Sequence, residues 1–404
     1  MLHTHNHTHK TFMRTFFLVI VFVFSIGFIP SHAFAADLKV AGWVPYWRDS
    51  QGIKDAKKNI KDIDTIFPFA YTVQNDGDIK DLAGLDERDW KAFIKTARKE
   101  NVEIIPSIMW SSQSSIYTVL SSDTLRESHI ESIVDMVEEG DYDGVNIDYE
   151  NKNSETKDYF SLFLKELKGE LGSKILTCAL EARTPPDSLY KEIPAVINYS
   201  NDYAAIAKYC DRVEIMAYDQ QRADIKLNAE KAGQPYMPVS DVDWVRKVVA
   251  LTVQSIPKEK IYLGIPTYGY HYAITVAPNW YRDYSRIGAL NVPDILDLAK
   301  KYKVKPSRNK AGEMSFTYLP KGSDVRFSSS LKIPSDTTSG NKVAAQALAY
   351  ANKTGETVVI NYAAYGDAET MKQKIELAEE FDLAGVALFK IDGEEDKKFW
   401  SLVD

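Results

Sequence analysis

The chain has 404 residues, enough for one large α/β domain or two ordinary ones, and its 45% hydrophobic and 26% charged content excludes a disordered chain and a multi-pass membrane protein. The formal net charge is −8, and because the first 35 residues hold two basic side chains (Lys10 and Arg14) and no acidic one, the remainder stands at −10. So acidic a remainder is a poor match for nucleic acid or an anionic membrane surface, and no nucleic-acid partner is expected.

The N-terminus reads as an export signal: a basic start, the 15-residue apolar run "TFFLVIVFVFSIGFI", and "AFA" ending at Ala35 as a small-x-small cleavage pattern. A retained membrane anchor is the alternative, but the run is short for a span. Cleavage is expected after residue 35, leaving residues 36–404 as a secreted or cell-envelope protein with no stable membrane anchor, acting as a monomer. Five of the seven histidines, at positions 3, 5, 7, 9 and 32, leave with the leader. His129 and His271 remain with Cys178 and Cys210, too few for a zinc site, so neither a metal nor a Cys–His catalytic pair is expected. Export permits a disulfide between the cysteines; two buried free thiols is the plainer expectation.

Short β-rich runs then alternate with helical patterns. The strand candidates are "LKVAGWVPYW" (38–47), "DTIFPFAYT" (64–72), "NVEIIPSIMW" (101–110), "YDGVNIDYE" (142–150), "KILTCALEA" (174–182), "DRVEIMAYD" (211–219), "IYLGIPTYG" (261–269) and "AGVALFKID" (384–392). Between them, "ERDWKAFIKTARKE" (87–100) and "DYFSLFLKELKGEL" (158–171) carry apolar residues three and four apart. Strands alternating with helices imply parallel pairing and crossovers, and eight of them predict a (β/α)₈ TIM barrel. The long gap before the eighth strand predicts a small α+β insertion over 270–365, between strands seven and eight.

The fourth run carries the chemistry. Residues two apart in a strand share a face, so Asn146, Asp148 and Glu150 point one way and Val145, Ile147 and Tyr149 the other. In a barrel the polar set must face the interior, with Glu150 at the C-terminal end where barrel enzymes keep their chemistry. Two carboxylates stacked in this way repel each other, and burial raises at least one pKa, which keeps a carboxylic acid available as a proton donor near neutral pH.

"DGVNIDYE" resembles the DGxDxDxE signature of glycoside hydrolase family 18, the chitinase family. "GWVPYW" (42–47), "PFAYTVQNDGDI" (68–79), "MAYD" (216–219), "LGIPTYGY" (263–270) and "MKQKIELAEEFDLAGVALFKIDGEE" (371–395) are similar to further segments of that family, in the same order. The resemblance spans 37–400. It implies retaining hydrolysis of β-linked N-acetylglucosamine polymers, peptidoglycan or chitin, with the substrate supplying its own nucleophile and no cofactor. Glu150 would be the acid and then the base, Asp148 would orient the acetamido group, and Tyr218 would bind the acetamido oxygen. Asp219 and Met216 would shape the sugar site, and Asn146 and Asp143 would support the ladder.

Asn146 stands where the family usually has Asp, a feature shared with its spore cortex-lytic and germination-type glucosaminidases, the nearest resemblance. Phe389 stands where the family usually has Trp as the floor of the sugar site. Both departures leave open a non-catalytic, chitinase-like glycan-binding lectin. The groove-lining aromatics expected are Trp43, Tyr46, Tyr71, Trp110, Tyr268 and Tyr270, with Trp280 as a cleft wall. Glu181 and Arg183 read either as a surface ion pair or as cleft residues meeting an acidic substituent.

Overall fold

The computed structural model describes residues 38–403; the expected signal segment lies outside the described residues. Seven parallel strands follow in order: β1 (Lys39–Pro45), β2 (Thr65–Val73), β3 (Ser107–Trp110), β4 (Gly144–Tyr149), β5 (Ile175–Glu181), β6 (Arg212–Met216) and β7 (Ile261–Pro266). The chain then leaves the barrel for an antiparallel sheet containing β8 (Tyr268–Ala277), β9 (Trp280–Asn291), β10 (Met314–Tyr318) and β11 (Val358–Tyr365), ordered β9-β8-β11-β10. It returns as β12 (Gly385–Phe389), which pairs with β7 on one side and β1 on the other; β1 in turn pairs with β2. This is the expected closed (β/α)₈ barrel with its insertion.

Each layer follows from side-chain periodicity. The helix Arg88–Lys99 buries Trp90, Phe93, Ile94 and Ala97, one stripe three and four apart, each large side chain contributing on the order of 1.5–3 kcal/mol. In β4, Val145, Ile147 and Tyr149 enter the shell between strands and helices, while Asn146 and Asp148 turn to the barrel interior. The insertion sheet buries Tyr270, Tyr272, Ile274, Ile360 and Tyr362 in a second core with Ala344 and Ala347 of the helix Lys342–Thr354. Among the described residues no helix is long and apolar enough to cross a membrane.

Two glycines admit neighbours that a side chain would displace. A Cβ on Gly144 would lie 2.0 Å from the carbonyl oxygen of Ile175, so β4 and β5 could not keep this approach. A Cβ on Gly264 would lie 2.9 Å from the Tyr218 ring, which makes β7 the bed on which that ring rests.

The cysteines are not free thiols. Cys178 lies on the helix-facing side of β5, and Cys210 ends the helix Tyr203–Tyr209 that packs there; their Cα atoms are 6.2 Å apart and the sulfurs are bonded. The thiol expectation failed because 32 residues separate the pair in sequence, and only the βα crossover brings them together.

Candidate active site

The barrel interior is a polar column. Near the N-terminal ends of the strands, Arg212 pairs with Glu103, 2.8 Å from Nη2 to Oε1, and with Thr65. Above it sits Asn146, fully buried, with both ends of its amide engaged: Oδ1 accepts from Ser107 Oγ (2.7 Å) and Trp43 Nε1 (3.4 Å), and Nδ2 donates to Thr177 Oγ1 (2.6 Å) and Glu214 Oε2 (2.9 Å). Glu214, on β6, is fully buried, and burial pushes its carboxyl up to about 7 against the opposing pull of Arg212. Sequence reasoning missed it, although Arg212, Glu214 and Met216 share one strand face.

Asp148 lies one pleat above Asn146 and is buried, with Oδ1 lacking any hydrogen-bond partner. Burial first, then the charges of Glu150 and Glu181, raise its pKa well above the usual carboxylate range, with Lys152 opposing. Glu150 ends the ladder half-buried, its N–H donating to the Trp110 carbonyl; burial and then Glu181 raise its pKa also. Lys152, another residue missed from sequence, is buried beside these carboxylates, donates to the Tyr149 carbonyl, and is held below its ordinary pKa by burial. It is the counter-charge for the acidic cluster.

The rim comes from the ends of β6, β7 and β12. Tyr218 is half-buried, and burial together with the Asp148 charge pushes its phenol well above its ordinary value, so it remains a hydrogen-bond donor. Asp219, in a left-handed conformation (φ 57°), accepts from Tyr268 Oη (2.6 Å) and Tyr270 Oη (2.7 Å). Phe389, at the end of β12, is ringed by Tyr218 (5.9 Å, stacked), Trp43 (5.9 Å), Phe69 (5.7 Å) and Tyr268 (6.3 Å). Met216 is half-buried at the end of β6. Tyr46 is half-buried, its ring 4.9 Å from that of Trp47, an exposed indole that also meets Phe69 edge-on and that the sequence reading passed over.

Other expected residues lie elsewhere. Tyr71 faces the helices, where its pKa is raised by burial and by the neighbouring Tyr142. The cause is a bulge: Phe69 pairs with Ser107 but Tyr71 with Ile108, so one extra residue in β2 reverses the alternation. Trp110 also faces outward, edge-on to Tyr149 (5.2 Å) and His129 (5.5 Å), because Ser107 and Met109 take the inward positions of β3. Trp43 is inside the barrel but buried under the site as a donor to Ser107 and Asn146, not a groove wall. Asp143 clips the opposite end of the strand, its Oδ2 accepting from the Ile104 N–H at 2.7 Å, and so does not support the ladder. Trp280 sits at the far end of the β8–β9 hairpin, where it pairs with Ala277.

Glu181 and Arg183 do not pair with each other. Glu181 accepts from the Asn151 N–H and from Asn201 Nδ2, both at 3.0 Å, while Arg183 lies between the rings of Tyr199 (3.6 Å) and Tyr203 (3.8 Å).

A closed barrel with two stacked carboxylates at its C-terminal face and a tyrosine–aspartate pair opposite defines a glycosidase-type architecture. The family model of glycosyl hydrolases family 18 matches residues 39–394, so the chain belongs to that family. It is 24% identical over 286 residues to the uncharacterized glycosylase YvbX of Bacillus subtilis, a match covering 70% of this chain and 67% of YvbX. It is 29% identical over 217 residues to the putative sporulation-specific glycosylase YdhD of the same species, covering 52% of this chain and 47% of YdhD. The crystal structure of the Bacillus cereus spore cortex-lytic enzyme SleL shares the fold at a TM-score of 0.64 and 18% identity, covering 91% of this chain and 73% of SleL.

Proposed function

We propose that the protein is an exported retaining glycosidase that hydrolyses β-1,4-linked N-acetylglucosamine polymers, peptidoglycan or chitin, by substrate-assisted catalysis. The observation that carries this reading is the buried, unpartnered Asp148 Oδ1, one pleat below Glu150. A carboxylate oxygen left without a donor in a buried site is costly unless a ligand supplies one, and an acetamido N–H has the right chemistry. Held by Asp148, the acetamido carbonyl is turned toward C1.

Glu150, its pKa raised, donates its proton to the glycosidic oxygen as the C1–O bond breaks and the acetamido oxygen bonds to C1. The positive oxazolinium so formed lies over Asp148, with Tyr218 donating to the acetamido oxygen. Glu150, now ionised, takes a proton from water as that water attacks C1, which restores the acetamide and retains configuration. The Phe389 ring gives the sugar an apolar floor. Export is supported by the leader-like sequence of residues 1–35 and by the Cys178–Cys210 disulfide, a bond characteristic of oxidising compartments. The likeness to SleL, a spore cortex-lytic enzyme, favours a peptidoglycan substrate.

The test is Glu150→Gln, assayed for release of reducing ends from chitooligosaccharides and from purified peptidoglycan. Loss of an acid–base group is expected to lower turnover by at least about 10²-fold. Equal inertness of wild type and variant on both substrates overturns the proposal. If wild-type chain is retained by the polymer without releasing ends, the lectin reading that Asn146 and Phe389 leave open takes its place.

A further inference from the structure

A second groove runs between the hairpin of the insertion and the segment 222–236 that follows β6. Two adjoining hollows of about 520 and 410 Å³ share Gly233, Gln234, Tyr281 and Leu348 as lining. The β8–β9 ladder runs from the Tyr268–Asn291 pair, whose tyrosine binds Asp219, to the Ala277–Trp280 pair at the tip. Nine residues of strand at about 3.3 Å each place Trp280 about 30 Å from Tyr268. The Trp280 end of the groove is therefore remote from the site around Glu150, while Arg222, three residues beyond Asp219, marks the end toward the rim.

Three features of its walls point to one kind of ligand. First, three side-chain amides along it each have one buried end without a hydrogen-bond partner: Asn228, Gln234 and Asn341. Their other ends are held, Asn228 by the Arg222 carbonyl at 3.1 Å, and Gln234 and Asn341 by each other at 2.7 Å. With Asn279, Thr337, Thr338 and Asn352 on the same walls, these amides make a lining that suits a hydroxyl-rich ligand and not an apolar one. Second, Trp280 is 56% exposed on this lining and offers a flat apolar face for a sugar ring, with Tyr284 four residues further along the same strand. Third, the charged residues lining the two hollows are Lys191, Arg222, Lys310 and Lys332 against the single acid Asp336, an inversion of the chain's acidic balance. Arg222 lies over the Tyr284 ring at 5.2 Å, so its charge borders the aromatic platform.

We infer that this groove is a second glycan-binding site, which holds a carboxylate-bearing polysaccharide chain while the barrel acts on another stretch of the same polymer. Hydroxyls would meet the polar side chains of the lining, sugar faces would stack on Trp280, and carboxylates would meet the cationic border. The inference deepens the glycosidase reading, because it selects the acidic polymer, peptidoglycan, over neutral chitin. Tethering by a second site raises the effective concentration of substrate at the first without altering chemistry there.

The test uses the full chain carrying Glu150→Gln, so that retention is read without turnover. Its retention is measured on insoluble peptidoglycan, on peptidoglycan whose carboxyls have been amidated, and on chitin beads. Trp280→Ala and the double variant K191Q/R222Q are compared with it. The expected result is that Trp280→Ala lowers retention on peptidoglycan by about tenfold, the size of one lost stacking contact. In the catalytically intact chain, the same substitution leaves turnover of a short soluble chitooligosaccharide within about twofold of wild type, which also verifies folding.

The cationic double variant and amidation of the polymer should each weaken retention, and neither effect should appear on chitin. Unchanged retention of Trp280→Ala overturns the second site. Loss of soluble-substrate turnover along with retention also overturns it, by placing Trp280 in the catalytic cleft. Equal retention on native and amidated polymer overturns the carboxylate specificity. Any of these failures leaves hydrolysis by Glu150 standing, and loss of hydrolysis leaves the retention difference readable.

Discussion

Replacing Glu214 by Gln isolates the energetic cost of the acid under the active site. In the folded protein this carboxyl is fully buried and its pKa is raised from 4.5 to about 7, chiefly by burial. A raised carboxyl pKa means that the folded state holds the proton more tightly than the unfolded state. The associated stability is therefore complete below about pH 4.5 and is lost as the pH climbs through 7. About 2.5 units at roughly 1.4 kcal/mol each gives on the order of 3 kcal/mol of pH-dependent destabilisation by pH 8.

Gln cannot ionise and escapes that loss, but it introduces an N–H₂ group near a position where Glu214 Oε1 already lacks a partner, a penalty that is the same at every pH. Denaturant unfolding of wild type and Glu214→Gln at pH 5 and pH 8 should thus show the variant gaining, relative to wild type, on the order of 3 kcal/mol between the two pH values. Other buried acids, such as Glu313, titrate in both chains and cancel in the comparison. A difference between the chains that is flat with pH refutes the reasoning, because Glu214 would then carry the same charge in folded and unfolded states.

Two further outcomes are expected. Lys152→Met removes the cation that opposes the raised pKa values of Asp148 and Glu150, so both limbs of the pH profile of kcat/KM should move up; an unmoved profile shows that the lysine is not their counter-charge. Cys178→Ser with Cys210→Ser should cost about 3–4 kcal/mol of stability from chain entropy alone, read by urea unfolding under non-reducing conditions, with catalysis of the folded chain intact because the bond lies on the helix side of β5.

The barrel was legible because its signals are local and repeated: eight apolar runs, helical stripes such as Trp90–Phe93–Ile94–Ala97, and a pleat that puts Asp148 and Glu150 on one face. What failed depended on register or on distance along the chain. Strict alternation from Phe67 and Phe69 would put Tyr71 inward, in line with its expected place in the groove, and a single bulged residue reverses it. Trp110 could have been placed correctly from the inward Ser107 three positions earlier. Glu214 was also within reach, since Met216, already assigned to the site, lies two residues on along the same face. The Cys178–Cys210 pairing and the burial of Lys152 were not within reach, because both depend on which crossover lies against which strand.

The amide of Asn146 has a direction, and this ties two positions into a lock. Its oxygen faces the donors Ser107 and Trp43, and its nitrogen faces the acceptors Glu214 and Thr177. An aspartate at 146 alone would set two carboxyls about 2.9 Å apart that could meet only by sharing a proton, whereas an aspartate facing a glutamine at 214 would have one donor and one acceptor with no proton to share. The column thus carries an amide on the fourth strand, at Asn146, and its ionisable carboxyl on the sixth, at Glu214. In this light the asparagine in "DGVNIDYE" and the glutamate of "RVEIM" are one matched donor–acceptor pair.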